Sequence, residues 1–131
     1  MVTAYCGMVE PAQFRRRPAP RFAKAIFFVS PAVVPVAAVV IAKNEAVNIR
    51  RCLDSLTWCA ERVVIDDHST DGTGELAVSC GARVVTHPFT SFAAQRNWAL
   101  EQAGLVSEWV LMLDADEVST EAFAAAVAHA V

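Results

Sequence analysis

The chain has 131 residues, of which 55% are hydrophobic and 19% charged, and its formal net charge is −3 at pH 7. That length suits one domain with a substantial core, and the negative balance argues against a general nucleic-acid-binding surface, which would be basic. The charge is uneven, because residues 1–24 carry five basic side chains (Arg15, Arg16, Arg17, Arg21 and Lys24) against the one carboxylate of Glu10.

Residues 1–35 are predicted to form an irregular leader, basic at first and then apolar. An uncharged run from Ala25 to Ala42 is similar to a signal peptide or a membrane span. Pro31 and Pro35 interrupt that run, so we interpret its second half as a strand. Three roles of the leader stay open: a flexible tail, an arm on an anionic membrane surface, or sequence upstream of the true start. We expect a cytoplasmic protein, with such an arm placing it at the inner face of the cytoplasmic membrane.

The first predicted strand is Val36–Ala42, and Asn44 is predicted to cap the helix that follows. Apolar residues then recur with the spacing of one helix face. These residues are Ile49, Cys52, Leu53 and Leu56. The second predicted strand, Arg62–Ile65, ends at Asp66 and Asp67.

A segment rich in turn and capping residues leads from Asp67 to a short helix that Gly81 closes. The third predicted strand is Ala82–Val85. A third helix begins near Ser91 and ends at Gly104. Its core-facing residues are predicted to be Phe92, Ala93, Ala99, Leu100 and Ala103.

The fourth predicted strand, Trp109–Leu113, is an unbroken apolar run that favours burial on both faces of the sheet. Asp114 and Asp116 follow it directly, one residue apart. Two carboxylates at a strand end can share a hard cation such as Mg²⁺ or Mn²⁺. A helix of mostly alanine begins near Thr120 and runs to the last residue.

Strands and helices alternate throughout residues 36–131, which predicts one α/β domain with a right-handed, mostly parallel sheet flanked by helices. The second and fourth strands both end in aspartates. Because the carboxyl ends of parallel strands meet at one rim, these acidic groups are expected to gather there and to suit a nucleotide with its metal.

The four cysteines, Cys6, Cys52, Cys59 and Cys80, include no C-x-x-C pair and no histidine at metal-binding spacing. We expect buried, reduced thiols with no catalytic or metal-binding role.

Four segments together resemble family 2 glycosyltransferases, in particular the subgroup that adds sugars in lipopolysaccharide core assembly. They are Val39–Glu45 (VVIAKNE), Val64–Thr73 (VIDDHSTDGT), Ala94–Leu100 (AQRNWAL) and Leu113–Glu117 (LDADE). The resemblance implies a GT-A (Rossmann-like) fold and inverting transfer from a nucleotide-diphospho-sugar, most simply a UDP-sugar, to a saccharide or lipid-linked acceptor. It also implies a Mg²⁺ or Mn²⁺ cofactor.

The resemblance implies roles for particular residues. Donor contacts are expected from Ala42, Asn44, Glu45, Asp66, Asp67, Arg96, Asp114 and Ala115. Asp114 and Asp116 are expected to hold the metal, Asp66 or Asp67 to accept the N–H of the base, and Arg96 to lie near the phosphates. His68 stands where the family usually has a small residue, and Ala42 where close relatives often have threonine.

Family members continue well beyond the D-x-D strand, and that further part supplies the acceptor site and the catalytic base. The resemblance therefore covers the nucleotide-sugar-binding half, and no residue here is assigned as the base. We expect this chain by itself to bind donor without transferring sugar, and to self-associate through uncovered apolar surface. Two alternatives stay open, a non-catalytic nucleotide-binding module and a nucleotidyltransferase. The latter usually has a Gly-rich basic loop after the first strand, unlike the sequence from Ala42 to Glu45.

Overall fold

The computed structural model describes residues 32–131, so nearly all of the predicted leader lies outside the described residues. The described chain contains β1 (Val34–Ala42), α1 (Ile49–Asp54), β2 (Cys59–Asp66), α2 (Thr73–Ser79), β3 (Arg83–Thr86), α3 (Phe92–Gln102), β4 (Trp109–Asp114) and α4 (Glu121–Ala130). The predicted alternation of strands and helices is confirmed, with shifts at several element ends.

The four strands form one parallel sheet in the order β3-β2-β1-β4. Val40 in β1 pairs with Val64 in β2 on one side and with Leu113 in β4 on the other. Helices cover both faces of this sheet. Buried residues of α1 and α2, together with partly buried residues of α4, pack on one face, and α3 packs on the other. The prediction of a parallel α/β sheet flanked by helices is confirmed.

β1 begins two residues earlier than predicted and includes Pro35, which the sequence suggested as an interruption. The strand accommodates this proline because its pairing with β2 shifts register between Val34 and Ala37. A bulge of this kind needs no ladder hydrogen bond from the proline nitrogen, which has no hydrogen to donate.

β4 is an edge strand among the described residues, and the predicted burial of both of its faces is only partial. Trp109 at its start is 54% exposed, and only Leu113 near its end is buried. The continuous apolar run reflects partial burial on both faces, since Leu111 and Leu113 pack in one core cluster and Val110 and Met112 pack against the other. Helices therefore cover β4 less completely than they cover β1, where Val36 to Val40 are all buried.

The predicted apolar face is buried, since Ile49, Cys52, Leu53 and Leu56 are all fully buried, although α1 ends at Asp54 and Leu56 lies in the turn after it. Asn44, however, is not the cap of this helix, because α1 begins at Ile49 and the residue before it is Asn48. Asn44 instead has a left-handed backbone with φ of 52°. Asparagine tolerates this conformation better than most residues do.

α3 begins after Ser91, as predicted, and the Ser91 hydroxyl caps it by accepting a hydrogen bond from the Ala94 N–H at 3.1 Å. Its buried face differs from the prediction. Gln95, Ala99 and Ala103 lie one turn apart and face the sheet, whereas Phe92, Ala93 and Leu100 are exposed. Residues four apart share a helix face, so burying a polar residue at position 95 turned the larger apolar residues outward.

The three described cysteines are free thiols, and Cys52 and Cys59 are buried. Burial raises the pKa of each of these two to about 11, which keeps them protonated and unreactive at neutral pH. Cys6 lies outside the described residues. No helix within residues 32–131 has both the length and the apolar character needed to span a bilayer.

Candidate functional site

The carboxyl ends of β1, β2 and β4 meet at one rim of the sheet. Ala42 at the end of β1 pairs with Asp66, and its neighbour Ile41 pairs with Asp114. The loops that leave these strands enclose a cleft of about 410 Å³. Its lining residues are Ile41, Ala42, Lys43, Glu45, Asp67, Phe89, Phe92, Asp114, Ala115 and Asp116.

Six of the residues predicted from the sequence line this cleft: Ala42, Glu45, Asp67, Asp114, Ala115 and Asp116. Asn44, Asp66 and Arg96 are not among the lining residues. Asn44 and Asp66 belong to the loops that support the cleft, and Arg96 lies beside the lining residue Phe92. The strand order explains the convergence, because β1 lies between β2 and β4 and brings the aspartates of both neighbours to one opening.

Asn44 ties the loop after β1 to the loop after β2. Its backbone N–H donates to the Ser69 hydroxyl at 2.8 Å, and its side-chain oxygen accepts from the Thr70 N–H at 2.9 Å. The next N–H groups continue this pattern, from Glu45 to the Thr73 hydroxyl at 2.8 Å and from Ala46 to Asp71 at 3.0 Å. The polar residues between His68 and Thr73 therefore hold the two loops together.

Asp66 is 7% exposed and belongs to the support of the site. Its Oδ2 accepts the Ser69 N–H at 3.0 Å. Its Oδ1 is buried and makes no hydrogen bond with any described residue. Asp66 thus begins the turn that carries Asp67 outward, while Asp67 itself faces the cleft.

Asp67 is held from three directions. Its Oδ1 accepts the Phe89 N–H at 3.1 Å and lies 3.6 Å from His68 Nδ1. Its Oδ2 lies 3.5 Å from Lys43 Nζ. The pKa of Asp67 is lowered, first by the Phe89 hydrogen bond and then, against a partial desolvation that raises it, by the Lys43 charge. An ionised acceptor with a fixed direction therefore lies at the cleft.

Lys43 is a lining residue to which the sequence analysis assigned no role. Its ammonium group also donates to the backbone oxygens of Asp67 and His68. Lys43 therefore links the ends of β1 and β2 and places a positive charge at the cleft. The available signal was its position directly after the first strand, at the rim where the aspartates were expected to gather.

His68 has a positive φ of 50°. This left-handed conformation is the one for which glycine is favoured, in agreement with the small residue that the resemblance implies at this position. The turn is kept here with an exposed imidazole at its tip.

The loop after β4 forms a compact turn. The Asp114 N–H donates to Glu117 Oε2 at 2.8 Å, and the Glu117 N–H donates to the Asp114 backbone oxygen at 3.0 Å. This reciprocal pair leaves the carboxylates of Asp114 and Asp116 to line the cleft on either side of the small, buried Ala115.

The carboxylates of the cleft fit a divalent cation that is bound partly by protein oxygens and partly by the oxygens of a phosphate. No group of three or more acidic, histidine or cysteine side chains suited to a metal occurs within residues 32–131. Mg²⁺ usually keeps several waters and is bound through one or two carboxylates plus substrate phosphates. Asp114 and Asp116 supply two carboxylates of this kind at the cleft.

Two aromatic side chains from the part of the chain after β3 form one wall of the cleft. The rings of Phe89 and Phe92 meet edge to face with their centroids 5.0 Å apart. Arg96 lies one helical turn after Phe92, with its guanidinium carbon 5.9 Å from the Phe92 ring centroid. Arg96 is therefore beside the wall and exposed, at the margin of the cleft.

A larger groove of about 700 Å³ lies between the start of β1, the end of α1 and α4. Its lining is mainly alanine, serine and threonine with Trp58, and its carboxylates are those of Asp54 and Glu121. We place the candidate site in the smaller cleft, because opposite charges and the ends of three parallel strands converge only there among these two cavities.

Residues 37–130, well over half of the chain, match the sequence profile described as Glycosyl transferase family 2. The lipopolysaccharide core biosynthesis glycosyltransferase LpsC of Rhizobium meliloti (strain 1021) is 37% identical over 89 residues, which are 64% of this chain and 32% of that protein. An uncharacterized glycosyltransferase of Rickettsia felis is 36% identical over 83 residues, which are 63% of this chain and 29% of that protein. The matched part of the chain thus spans about a third of the length of these relatives.

Solved structures share the fold. Glucosyl-3-phosphoglycerate synthase from Mycobacterium tuberculosis, in complex with Mn²⁺, UDP and glucosyl-3-phosphoglycerate, matches with a TM-score of 0.52 and 27% identity, covering 61% of this chain and 33% of that one. Mannosyl-3-phosphoglycerate synthase from Rubrobacter xylanophilus matches with a TM-score of 0.57 over 66% of this chain and 32% of that one. Its identity of 24% supports a shared fold alone. The predicted GT-A fold is confirmed for the part that this chain covers.

Proposed function

The chain belongs to glycosyl transferase family 2, and on that premise we propose that its cleft binds the nucleoside-diphosphate part of a nucleotide-sugar together with a divalent cation. The observation that carries the proposal is the convergence of Lys43, Asp67, Asp114 and Asp116 on one cleft at the carboxyl ends of three parallel strands.

The charged groups occupy different sides of this cleft. Asp67 follows β2, whereas Asp114 and Asp116 follow β4, and the central strand β1 separates the two. We assign the diphosphate and its cation to the Asp114–Asp116 side, where two carboxylates provide oxygen ligands. We assign the base to the Asp67 side, where an ionised carboxylate with a fixed direction can accept an N–H in a charge-assisted hydrogen bond.

Sugar transfer releases a nucleoside diphosphate, whose negative charge grows as the bond to the anomeric carbon breaks. A divalent cation bound by Asp114 and Asp116 would supply positive charge to that leaving group. The described residues bind and orient the donor. Asp67, Asp114 and Asp116 have other assignments in this proposal, and Glu45 accepts a hydrogen bond from Asn48 at 2.8 Å. No described residue is assigned as the base for the acceptor.

The comparisons support uridine as the nucleoside and a divalent cation such as Mn²⁺, because the synthase from Mycobacterium tuberculosis was crystallised with Mn²⁺ and UDP. The similarity to LpsC supports a role in lipopolysaccharide core biosynthesis. We propose a saccharide or lipid-linked acceptor in the assembly of lipopolysaccharide or another envelope polysaccharide. We propose inverting transfer, in the cytoplasm or at the inner face of the cytoplasmic membrane, as the activity of the whole protein.

Calorimetry with UDP tests this proposal. The unmutated chain should bind UDP more tightly with Mn²⁺ than with chelator, and Asp116→Ala should remove that difference. Asp116 is exposed, so the variant should keep the fold, which circular dichroism would check. Asp54→Ala is a matched control, because Asp54 is an exposed aspartate at the end of α1 and away from the cleft.

Equal UDP affinity with and without Mn²⁺ in the unmutated chain would contradict the cation site. Absence of UDP binding under both conditions would contradict the donor site as a whole.

A further inference from the structure

The β3 side of the cleft carries two aromatic side chains that no part of the proposed donor chemistry uses. Phe89 is 39% exposed and Phe92 is 58% exposed, and both line the cleft. Large aromatic residues in water forgo the burial that stabilises a fold, so a pair of them at the opening of a polar cleft indicates a surface for a ligand.

This aromatic wall is positioned by the same contacts that position Asp67. The Phe89 N–H donates to Asp67 Oδ1 at 3.1 Å, and the Phe92 ring meets the Phe89 ring at 5.0 Å. The Phe89 backbone is therefore held against the Asp67 carboxylate, with the Phe92 ring beside the Phe89 ring.

A buried glutamine anchors the loop that carries Phe89. Gln95 Oε1 lies 2.7 Å from His87 Nδ1, and Gln95 Nε2 donates to the His87 backbone oxygen at 3.2 Å. The His87 ring also stacks on Trp98 with a centroid separation of 3.9 Å. This anchoring explains why α3 buries Gln95, and it limits the freedom of the segment that leads to Phe89.

From this arrangement we propose that Phe89 and Phe92 form the surface against which the nucleobase of the donor packs, beside the Asp67 carboxylate already assigned to the edge of the base. The proposal rests on the proposed function and deepens it by naming the residues that contact the base. The two groups suit a flat heterocycle, because one offers aromatic surface and the other a hydrogen-bond acceptor.

The order of the strands favours a base at this wall over the diphosphate. Phe89 follows β3, which lies beyond β2 and at the opposite edge of the sheet from β4. The phosphates and the cation are assigned to the β4 side, so the distal part of the nucleotide extends towards β3. Arg96, which the resemblance places near the phosphates, has its guanidinium carbon 5.9 Å from the Phe92 ring centroid and so lies beside this wall.

Two probes separate a contact with the base from a general effect on the cleft. UDP contains the base, and inorganic pyrophosphate lacks it; both are titrated calorimetrically in Mg²⁺. We expect Phe92→Ala to weaken UDP binding on the order of tenfold, the loss typical of one stacked base, and to leave pyrophosphate binding unchanged. Phe92→Trp should restore UDP binding because it keeps an aromatic face. Phe92→Leu, which keeps apolar bulk without such a face, should behave like Phe92→Ala.

Leu100→Ala is the matched control, since Leu100 lies on the same helix with a similar exposure of 54% and does not line the cleft. It should change neither affinity. If the unmutated chain binds UDP and Phe92→Ala binds it equally well, the base contact is wrong while the proposed function stands. Equal weakening of UDP and pyrophosphate by Phe92→Ala would also overturn the base contact. If the unmutated chain binds neither probe, the proposed function itself fails.

Discussion

Lys43 Nζ lies 3.5 Å from Asp67 Oδ2 and also donates to the backbone oxygen of Asp67. The two residues follow neighbouring strands, β1 and β2, whose ends are paired through Ala42 and Asp66. The segments VVIAKNE and VIDDHSTDGT, separate in the sequence, are therefore two parts of one structural unit. The Lys43–Asp67 pair of this unit lies at the cleft, and the hydrogen-bonded loops after β1 and β2 support it.

The first prediction concerns the charge of Asp67. Lys43→Met should raise the pKa of Asp67 towards its ordinary value of 3.8, because the cation that favours the ionised form is removed. The rise should be partial, since the Phe89 hydrogen bond is the larger cause of the lowered pKa and remains. A ¹³C NMR titration of the Asp67 carboxyl carbon measures this directly.

Lys43→Arg is the control for that titration, because it keeps the positive charge and should leave the pKa lowered. An Asp67 pKa unaffected by Lys43→Met would show that the ammonium group does not act on this carboxylate in solution.

The second prediction separates the two adjacent aspartates. Asp66→Ala should lower the free energy of unfolding by about 1–3 kcal/mol, because it removes a buried acceptor and leaves the Ser69 N–H without its partner. Asp67→Ala should instead weaken UDP binding on the order of tenfold, as expected for the loss of a charge-assisted hydrogen bond. Urea unfolding and UDP calorimetry on both variants would measure the two effects. Loss of UDP binding in a stably folded Asp66→Ala variant, with normal binding by Asp67→Ala, would reverse the assignment.

The third prediction concerns Glu61 on β2, which anchors the loop before β4. Its Oε1 accepts hydrogen bonds from the Val106 N–H at 2.9 Å, the Ser107 N–H at 2.7 Å and the Ser107 hydroxyl at 2.8 Å. Burial raises the pKa of Glu61, but these hydrogen bonds, first those of Ser107, and the charge of Arg83 outweigh burial, so the pKa is lowered from 4.5.

A carboxylate whose pKa is lowered by folding stabilises the folded state above its unfolded-state pKa, and the contribution is lost as the pH falls through the folded-state value. Glu61→Ala should therefore lower the free energy of unfolding by about 2 kcal/mol at neutral pH, and the difference from the unmutated chain should shrink once the pH falls below 4.5. Urea unfolding at a series of pH values measures it. Glu101→Ala, an exposed position on α3, is the control and should show little change. A difference for Glu61→Ala that is independent of pH would exclude the ionised carboxylate as its cause.

The fourth prediction concerns the leader. Deleting residues 1–33 should leave the fold intact, because β1 begins at Val34 and Val34 donates its N–H to the Trp58 oxygen at 2.8 Å. If the basic residues contact an anionic membrane, each contributes about 1 kcal/mol near such a surface, and the deletion should release the protein from anionic vesicles. Sedimentation with phosphatidylserine-containing and neutral vesicles compares the two forms. Equal binding by both forms would exclude the leader as the membrane contact.

Residue spacing alone was enough to predict the strands and helices and the rim of the sheet at which the site lies. The spacing of Ile49, Cys52, Leu53 and Leu56 identified a helix face that is fully buried. Strand–helix alternation indicated the parallel sheet, and aspartates after the second and fourth strands indicated where ligands would bind. These features depend on short-range spacing and on the rule that the carboxyl ends of parallel strands meet at the same edge. Local sequence patterns therefore predict them.

The side of the site on which each residue lies depends on how the sheet and helices pack. Asp66 and Asp67 are equivalent in a strand-end pattern, yet one lies under the loop and the other faces the cleft. Residue spacing likewise did not predict the exposed edge of β4, the burial of Gln95 or the pairing of Lys43 with Asp67. Each depends on strand order or on contacts between segments far apart in the chain. Because such contacts are set by how the whole sheet and its helices pack together, no local pattern of residues specifies them.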